Sequence, residues 1–288
     1  MMNYLNLGCG RRFHPAWTNV NFVSTGEGVI THNLTQGIPF PDNSFDVVYH
    51  SHLLEHFPKA AAESFLSECC RVLRPQGILR VVVPDLEQIA RTYLLAFEKA
   101  SYGSQEWVAN YEWILLEMYD QTVRNHSGGE MAAYLSKKHI PNEEFVIKRC
   151  GMEAKNLIAS GRQQRQQRKM STPVAEGEPK RLLKQIYRFL RYPTERRELL
   201  LKSLLGKEYS ALQIGRFRQS GEVHQWMYDC YSLALLLEKC GLENIIQRPA
   251  SESYIPDWAS FNLDTEPDGT VYKPDSLYIE AIKTAASN

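Results

Sequence analysis

The feature that most constrains this chain lies at residues 4–10, where the apolar run YLNL meets Gly8-Cys9-Gly10. Glycines directly after a strand permit positive φ and let backbone N–H groups approach a ligand closely. Gly-x-Gly alone fits a plain strand-to-helix turn equally well, so the weight falls on the segments downstream of it. TNVNF, GVITH, FDVVYH and ILRVVVP read as further buried strands, with a helical pattern over ESFLSECCRVL between the last two. Short apolar strands joined by helices argue for a doubly wound, mostly parallel sheet.

The alternation then stops. Helical patterns occupy LEQIARTYLLAFEKA, WVANYEWILLEMYDQTVRN, EEFVIKRCGMEAKNLIAS and KRLLKQIYRFLRY. A Gln/Arg-rich, Pro-interrupted stretch at 162–179 reads as a mobile loop. The strand-helix grammar resumes with YDCYSLALLLEKCG, an amphipathic helix ending at Gly241, then the strands ENIIQRP and SLYIEAIK. The expected organisation is one sheet domain, 1–85 and 223–288, interrupted after its fifth strand by a helical insert, 86–222. Such an insert leaves and re-enters at the carboxyl end of the sheet, where open α/β folds bind ligands, so it is a candidate cap or substrate-selecting region.

Lys and Arg together balance Asp and Glu at 33 each, so whole-chain charge gives no case for nucleic acid. Between Arg162 and Lys202, however, basic residues exceed acidic ones by eight. Residues 180–191 put Leu182, Leu183, Ile186, Phe189 and Leu190 largely on one helical face. That pattern fits peripheral contact with an anionic membrane, or a helix packed on the cap with its charges solvated. The six cysteines form no CxxC pair and no metal-ligand spacing, so reduced thiols, a cytoplasmic location and no metal site are expected. No run reaches the roughly 18–20 apolar residues of a membrane span, and the first residues lack the features of a signal peptide.

LNLGCG, LTQGIPFPDNSFDVVYHSHLLEH, RVLRPQGILRVVVPD and YSLALLLEKCGLENI, four segments in order, resemble the class I S-adenosylmethionine-dependent methyltransferases of the small-molecule, type 11 kind. The likeness covers roughly residues 4–85 and 228–283. GEVHQWMYD, IPDWASFNLDTEPDG and KPDSLYIEAI are further similar to stand-alone bacterial methyltransferases of surface-polysaccharide biosynthesis. The resemblance implies a Rossmann-like sheet whose last strand is antiparallel, with S-adenosylmethionine held by Leu7, Gly8, Cys9, Gly10, Asn21, Phe22, Asn33, Leu34, His50 and Ser51. Arg11 or Arg12 would pair with its carboxylate. The family's usual ribose carboxylate falls at Asn21, and a second acid near the adenine at Asn33. An amide accepts and donates one hydrogen bond each but loses charge assistance, so weakened cofactor binding is expected.

His52, His56 and His224 are the candidate general bases, because imidazole titrates near neutral pH. Arg124, His126 and Trp226 are candidates for acceptor binding. Each also has a plain structural reading, as a helix-capping or packed side chain. The function implied is methyl transfer, chiefly to oxygen, onto a small-molecule or glycan acceptor. The alternative is a non-catalytic binding or scaffold protein retaining the fold. A nicotinamide enzyme is disfavoured because Arg11-Arg12-Phe13 replaces the rest of a GxGxxG motif. A nucleic-acid enzyme is disfavoured because no Asn/Asp-Pro-Pro-aromatic motif is present, so no specific nucleic-acid partner is expected.

Overall fold

The computed structural model describes residues 2–170, 187, 189 and 191–285. Its centre is a seven-stranded sheet: β1 (Tyr4–Leu7), β2 (Thr18–Asn21), β3 (Val29–Thr31), β4 (Phe45–Ser51), β5 (Leu73–Pro84), β6 (Leu242–Gln247) and β7 (Ser276–Lys283), in the order β3-β2-β1-β4-β5-β7-β6. The strands β1 to β5 pair in parallel, while β7 runs antiparallel to both β5 and β6. The expected doubly wound α/β sheet with its reversed last strand is present.

Side chains alternate along each strand, so two cores form on opposite faces. Leu5, Leu7, Val48, Leu79 and Val81 bury one face beneath α1 (Lys59–Val72) and a second helix of the sheet region, Cys230–Lys239. That second helix starts in a reciprocal cap between Asp229 and Ser232 and stops before Gly241, at φ 82°, where the sequence places its end.

The opposite face departs from the repeating strand-helix expectation. Among the described residues, no helix joins β1 to β2 or β2 to β3. The link between β6 and β7 covers this face instead, through Ala250, Ile255, Trp258 and Leu263 packed on Trp17, Val47 and Tyr49. Buried Arg80 on β5 fixes that cover. Its guanidinium reaches Asp264 at 2.9 Å and Glu280 at 2.7 Å, donates to the carbonyls of Glu252 and Ala250, and lies over Trp258.

After β5 the chain enters α2 (Leu86–Ser101), α3 (Gln105–Val123), α4 (Gly129–Leu135), α5 (Glu143–Met170), α6 (Pro193–Leu205) and α7 (Tyr209–Arg218). The helix Cys230–Lys239 is therefore α8. Departure and return are adjacent, since Asp85 bridges Tyr228 and the Leu86 amide donates to the Tyr228 carbonyl at 2.9 Å. Trp113, Tyr134, Val146 and Ile158 give this block its own core. At Gly151 (φ 62°, ψ −139°) α5 breaks. A side chain there would collide with the Tyr272 carbonyl, and the next amide, Met152, donates to that carbonyl at 3.1 Å. The break thus docks the block onto the β6–β7 link.

Residues 162–170 continue α5 rather than forming a loop. The rest of the expected mobile stretch, 171–179, lies outside the described residues. So does most of the expected membrane-facing segment 180–191. Among the described residues, no helix is long and apolar enough to cross a membrane.

Candidate active site

Three cavities meet at the carboxyl end of the sheet, and His52 lines all of them. The first, about 240 Å³, adjoins Gly8, Cys9, Gly10, Ser51 and Asp264. The second, about 470 Å³, extends from Gly8 along Asn21, Phe22, Asn33 and Leu34 to His56. The third, about 180 Å³, lies under the helical block between Trp113, Gln121, Glu153 and Lys273.

The glycine turn is built by sterics. Gly8 has φ 65°, and a Cβ on it would sit 2.9 Å from a Leu53 methyl. Gly10 has φ 53° with open space where a side chain would project. Burial pushes the Cys9 thiol up to about 11, so it stays protonated and this residue's contribution is its backbone.

The candidate cofactor residues divide. Gly8, Asn21, Phe22, Asn33 and Leu34 line the second cavity, and Cys9, Gly10 and Ser51 line the first. Phe22 is 64% exposed, leaving an uncovered aromatic face beside Asn21. Leu7 and His50 do not reach either cavity with their side chains: Leu7 is core, and His50 is fully buried edge-on to Phe65. Burial lowers His50 to about 4, so it is neutral.

Neither amide is idle. Asn21 donates to the Val23 carbonyl at 2.9 Å and accepts from the Gly10 amide at 3.4 Å. Asn33 accepts from the Thr35 amide and hydroxyl, closing the first turn of a short helix. Arg12 is also committed: it donates to the carbonyls of Leu263, Asn262 and Thr265, pairs with Glu266 at 2.8 Å and stacks on Tyr272. A role in pairing the cofactor carboxylate therefore does not fit Arg12, while Arg11 is exposed.

The three candidate histidines come together around one carboxylate. His52, held at φ 50°, places Nδ1 3.2 Å from Glu55 Oε1 and Nε2 2.8 Å from the Ser276 hydroxyl. His224 lies with Nε2 4.0 Å from the same Glu55 oxygen and 3.1 Å from the Gln121 amide. The rings of His56 and His224 meet edge-on at 4.8 Å. The Glu55 carbonyl accepts from the amides of Gln225 (2.7 Å) and Trp226 (3.2 Å), which fastens the returning chain to the loop after β4.

Burial pushes the fully buried Glu55 upward, but close His52 and the other imidazoles outweigh it and hold the carboxyl at about 2. Burial drives His224 down to about 3. At neutral pH the cluster is therefore an ionised carboxylate beside a neutral imidazole of His224.

The acceptor candidates are not brought to the cavities as a group. Arg124 touches the third cavity but is paired with Asp120 at 2.6 Å and Glu222 at 3.2 Å, ordering the α3–α4 turn. His126 is exposed on that turn and lines none of these cavities. Trp226 is an exposed ring covered by Lys59 at 4.4 Å and lines none of them either. Sequence reasoning missed Glu55 as an organiser, as well as Lys273 and Glu153, which pair at 2.8 Å and line both the first and third cavities. The His-x-x-Glu-His spacing at 52–56 was the available signal for Glu55. Nothing local marks the other two.

Comparison with known proteins places this geometry. Residues 5–81 match the family model described as a methyltransferase domain. The matched stretch holds β1 to β4 and most of β5, with the glycine turn and the His52–His56 loop. Over 56 residues the chain is 43% identical to a probable S-adenosylmethionine-dependent methyltransferase of Mycolicibacterium smegmatis; the match spans 19% of this chain and about a fifth (21%) of that relative's length. A crystal structure of a SAM-dependent methyltransferase from Archaeoglobus fulgidus aligns with 98% of this chain and 86% of its own, at 11% identity and TM-score 0.38. The Burkholderia thailandensis 1,6-didemethyltoxoflavin-N1-methyltransferase, with S-adenosylhomocysteine bound, aligns over 29% of this chain and 45% of its own, at 20% identity and TM-score 0.25.

The residues present fit the cofactor. The open space at Gly10, the uncovered Phe22 ring and, beside Gly8, a cavity within the roughly 300–1,000 Å³ of small-ligand sites lie at the ends of β1 to β3. The departures are Asn21 and Asn33, amides where acids are expected, Arg12, which is committed elsewhere, and the side chains of Leu7 and His50, which do not reach the cavities.

Proposed function

We propose that the chain is an S-adenosylmethionine-dependent O-methyltransferase acting in the cytoplasm on a hydroxyl of a small polar or glycan acceptor. Residues 1–85 and 223–288 form the cofactor domain in this reading, and 86–222 form the cap. When bound, S-adenosylmethionine supplies an electrophilic methyl group on its sulfonium. The observation that carries the proposal is His52, at the junction of the three cavities with a buried carboxylate on one side and a hydroxyl on the other.

With its Nδ1 proton directed at Glu55, the lone pair of His52 is at Nε2. That nitrogen takes the proton from an acceptor hydroxyl, directly in place of Ser276 or through it. The Gly8-Cys9-Gly10 backbone and the wall formed by Phe22 and Leu34 orient the cofactor. Glu153, Lys273 and Gln121 give the third cavity paired polar groups suited to a hydroxylated acceptor, and the cap keeps bulk water from it. Six free cysteines accord with a reducing compartment.

The test is a screen for S-adenosylhomocysteine release with nucleotide-linked and lipid-linked sugars and simpler polyols. Acceptor-dependent release that falls in His52→Gln supports the reading. Cofactor binding without release for any acceptor favours a scaffold that keeps the fold, a reading the two asparagines support. No calorimetric binding at millimolar cofactor, in wild type or in Asn21→Asp, overturns both.

A further inference from the structure

We propose that Glu55, His56 and His224 form a binding site for one divalent first-row transition-metal ion, set behind His52 at the inner wall of the second cavity. One donor atom from each of the three lies within 4.8 Å of the others. Zn–N bonds of about 2.0–2.1 Å put two ligands at most about 4.2 Å apart. At tetrahedral angles the same bonds set ligands about 3.4 Å apart, so side-chain closure of up to roughly 1.4 Å would complete the shell.

The case rests on unmet polarity as much as on distance. Glu55 is fully buried and His224 is 5% exposed. Among the described residues, neither carboxylate oxygen of Glu55 is in a well-aligned hydrogen bond, and Nδ1 of His56 and Nδ1 of His224 have no partner. Buried polar groups are nearly always satisfied, and each orphan costs about 1–3 kcal/mol. A cation held by one atom from each of the three residues would answer this deficit together. One Glu55 oxygen already faces His52, which leaves the other for the ion.

Donor chemistry selects the class of ion. Two imidazoles and one carboxylate suit zinc, iron or cobalt, whereas calcium and magnesium prefer all-oxygen shells. Three protein ligands also leave a coordination position open, as in catalytic rather than structural sites. His56 lines the second cavity, so that position is reachable from the ligand side.

A second group, Glu117, Cys150 and Asp275, is equally close, but its only unpaired atom is one Asp275 oxygen among the described residues. Arg149 pairs with Glu117 at 2.5 Å and supplies the positive charge already. Glu55 and His56 come just after β4, while His224 ends the return from the helical block. An ion there would clamp the block to the sheet, beside the amide bonds of Gln225 and Trp226.

The experiment uses the full chain, stripped with a chelator and titrated with Zn²⁺ against a chromogenic competitor, with Tm measured in parallel. Co²⁺ is added to separate samples for its visible spectrum. One equivalent of Zn²⁺ should bind and raise Tm, and Co²⁺ should give ligand-field bands. His56→Gln and His224→Gln should each weaken Zn²⁺ by at least about a hundredfold, beyond what loss of an outer partner costs. His126→Gln, an exposed control, should leave affinity unchanged. Circular dichroism and urea unfolding establish that each variant is folded. No Zn²⁺ binding and no Co²⁺ band in folded wild type overturns the site. Binding that survives both ligand substitutions, and so belongs to surface histidines, also overturns it. Neither readout needs cofactor or acceptor, so failure here is separate from failure of the methyl-transfer reading.

Discussion

Two buried polar clusters lie close to the sheet, and they differ in one respect. Around Arg80 every charge is answered: Asp264 and Glu280 take the guanidinium, Tyr49 donates to Asp264 at 2.6 Å, and the Tyr254 amide donates to Glu280 at 2.8 Å. Around Glu55 the reverse holds, with several buried donors and acceptors unpaired. Their central residues, Arg80 and Glu55, are equally buried. The completed network fixes the chain that covers one sheet face, while the incomplete one is where the ion site is proposed. Satisfaction, rather than burial, separates scaffold from site.

The sharpest way to break this contrast is to remove one partner from each cluster. Arg80→Met leaves two buried carboxylates uncompensated and should cost about 3–5 kcal/mol, read as a fall in the urea midpoint at unchanged slope. Glu55→Gln removes a carboxylate that His52 answers on one side only and should cost less, about 1–3 kcal/mol. Equal losses in the two variants would abolish the distinction.

Activity should sort the same clusters the other way. With the acceptor found by the screen, His52→Gln should lower kcat by about 10²–10⁴, the usual worth of a general base, with KM for the cofactor little changed. A variant of the paired cluster that still folds, Tyr49→Phe, should retain most of its kcat. A small effect of His52→Gln would remove the base and leave orientation as the main source of rate.

The strands were legible because parallel β-structure writes itself into short β-branched runs, and each expected strand is present. The face cover was not. Its anchor joins Arg80 to Asp264, 184 residues apart, and no local pattern encodes such a pairing. The site was legible where it is local: His52 and His56 stand in a loop directly after β4, and His224 at the point where the insert returns. Exposure was not legible. Trp226 and His126 stand close to the right segments yet face solvent, because side-chain direction at a loop depends on turns that sequence spacing does not fix. Residues 162–170 mislead for a related reason. Gln and Arg are good helix formers, so polarity alone does not mark a loop.

His50 sharpens the comparison from the acid side. Its ring is buried without partners, and burial lowers it from 6.5 to about 4. Between those values the unfolded chain binds a proton the folded chain refuses, so stability falls as pH drops through that window. The contribution is roughly 3 kcal/mol between pH 7 and pH 4. His50→Leu should flatten that part of the curve in urea titrations at successive pH values. An unchanged acid slope would mean that the folded protein hydrates this ring.

The smallest expected effect is at the ribose position. Asn21 spends its amide donor on the Val23 carbonyl and its oxygen on the Gly10 amide, so a ribose must compete for the remaining lone pair. Asn21→Asp gives up the Val23 bond but offers an ionised acceptor, and charged hydrogen bonds exceed neutral ones by about 1 kcal/mol. The loop loses part of that gain, so cofactor Kd should tighten by about threefold to fivefold, with most of the effect surviving in moderate salt because the contact is short-range. A weaker Kd in Asn21→Asp would show that the amide's donation to Val23, rather than its neutrality, is what the loop requires. The departure from the family's carboxylate would then be a feature of how β2 ends, with the cofactor held chiefly by the glycine turn and the aromatic wall.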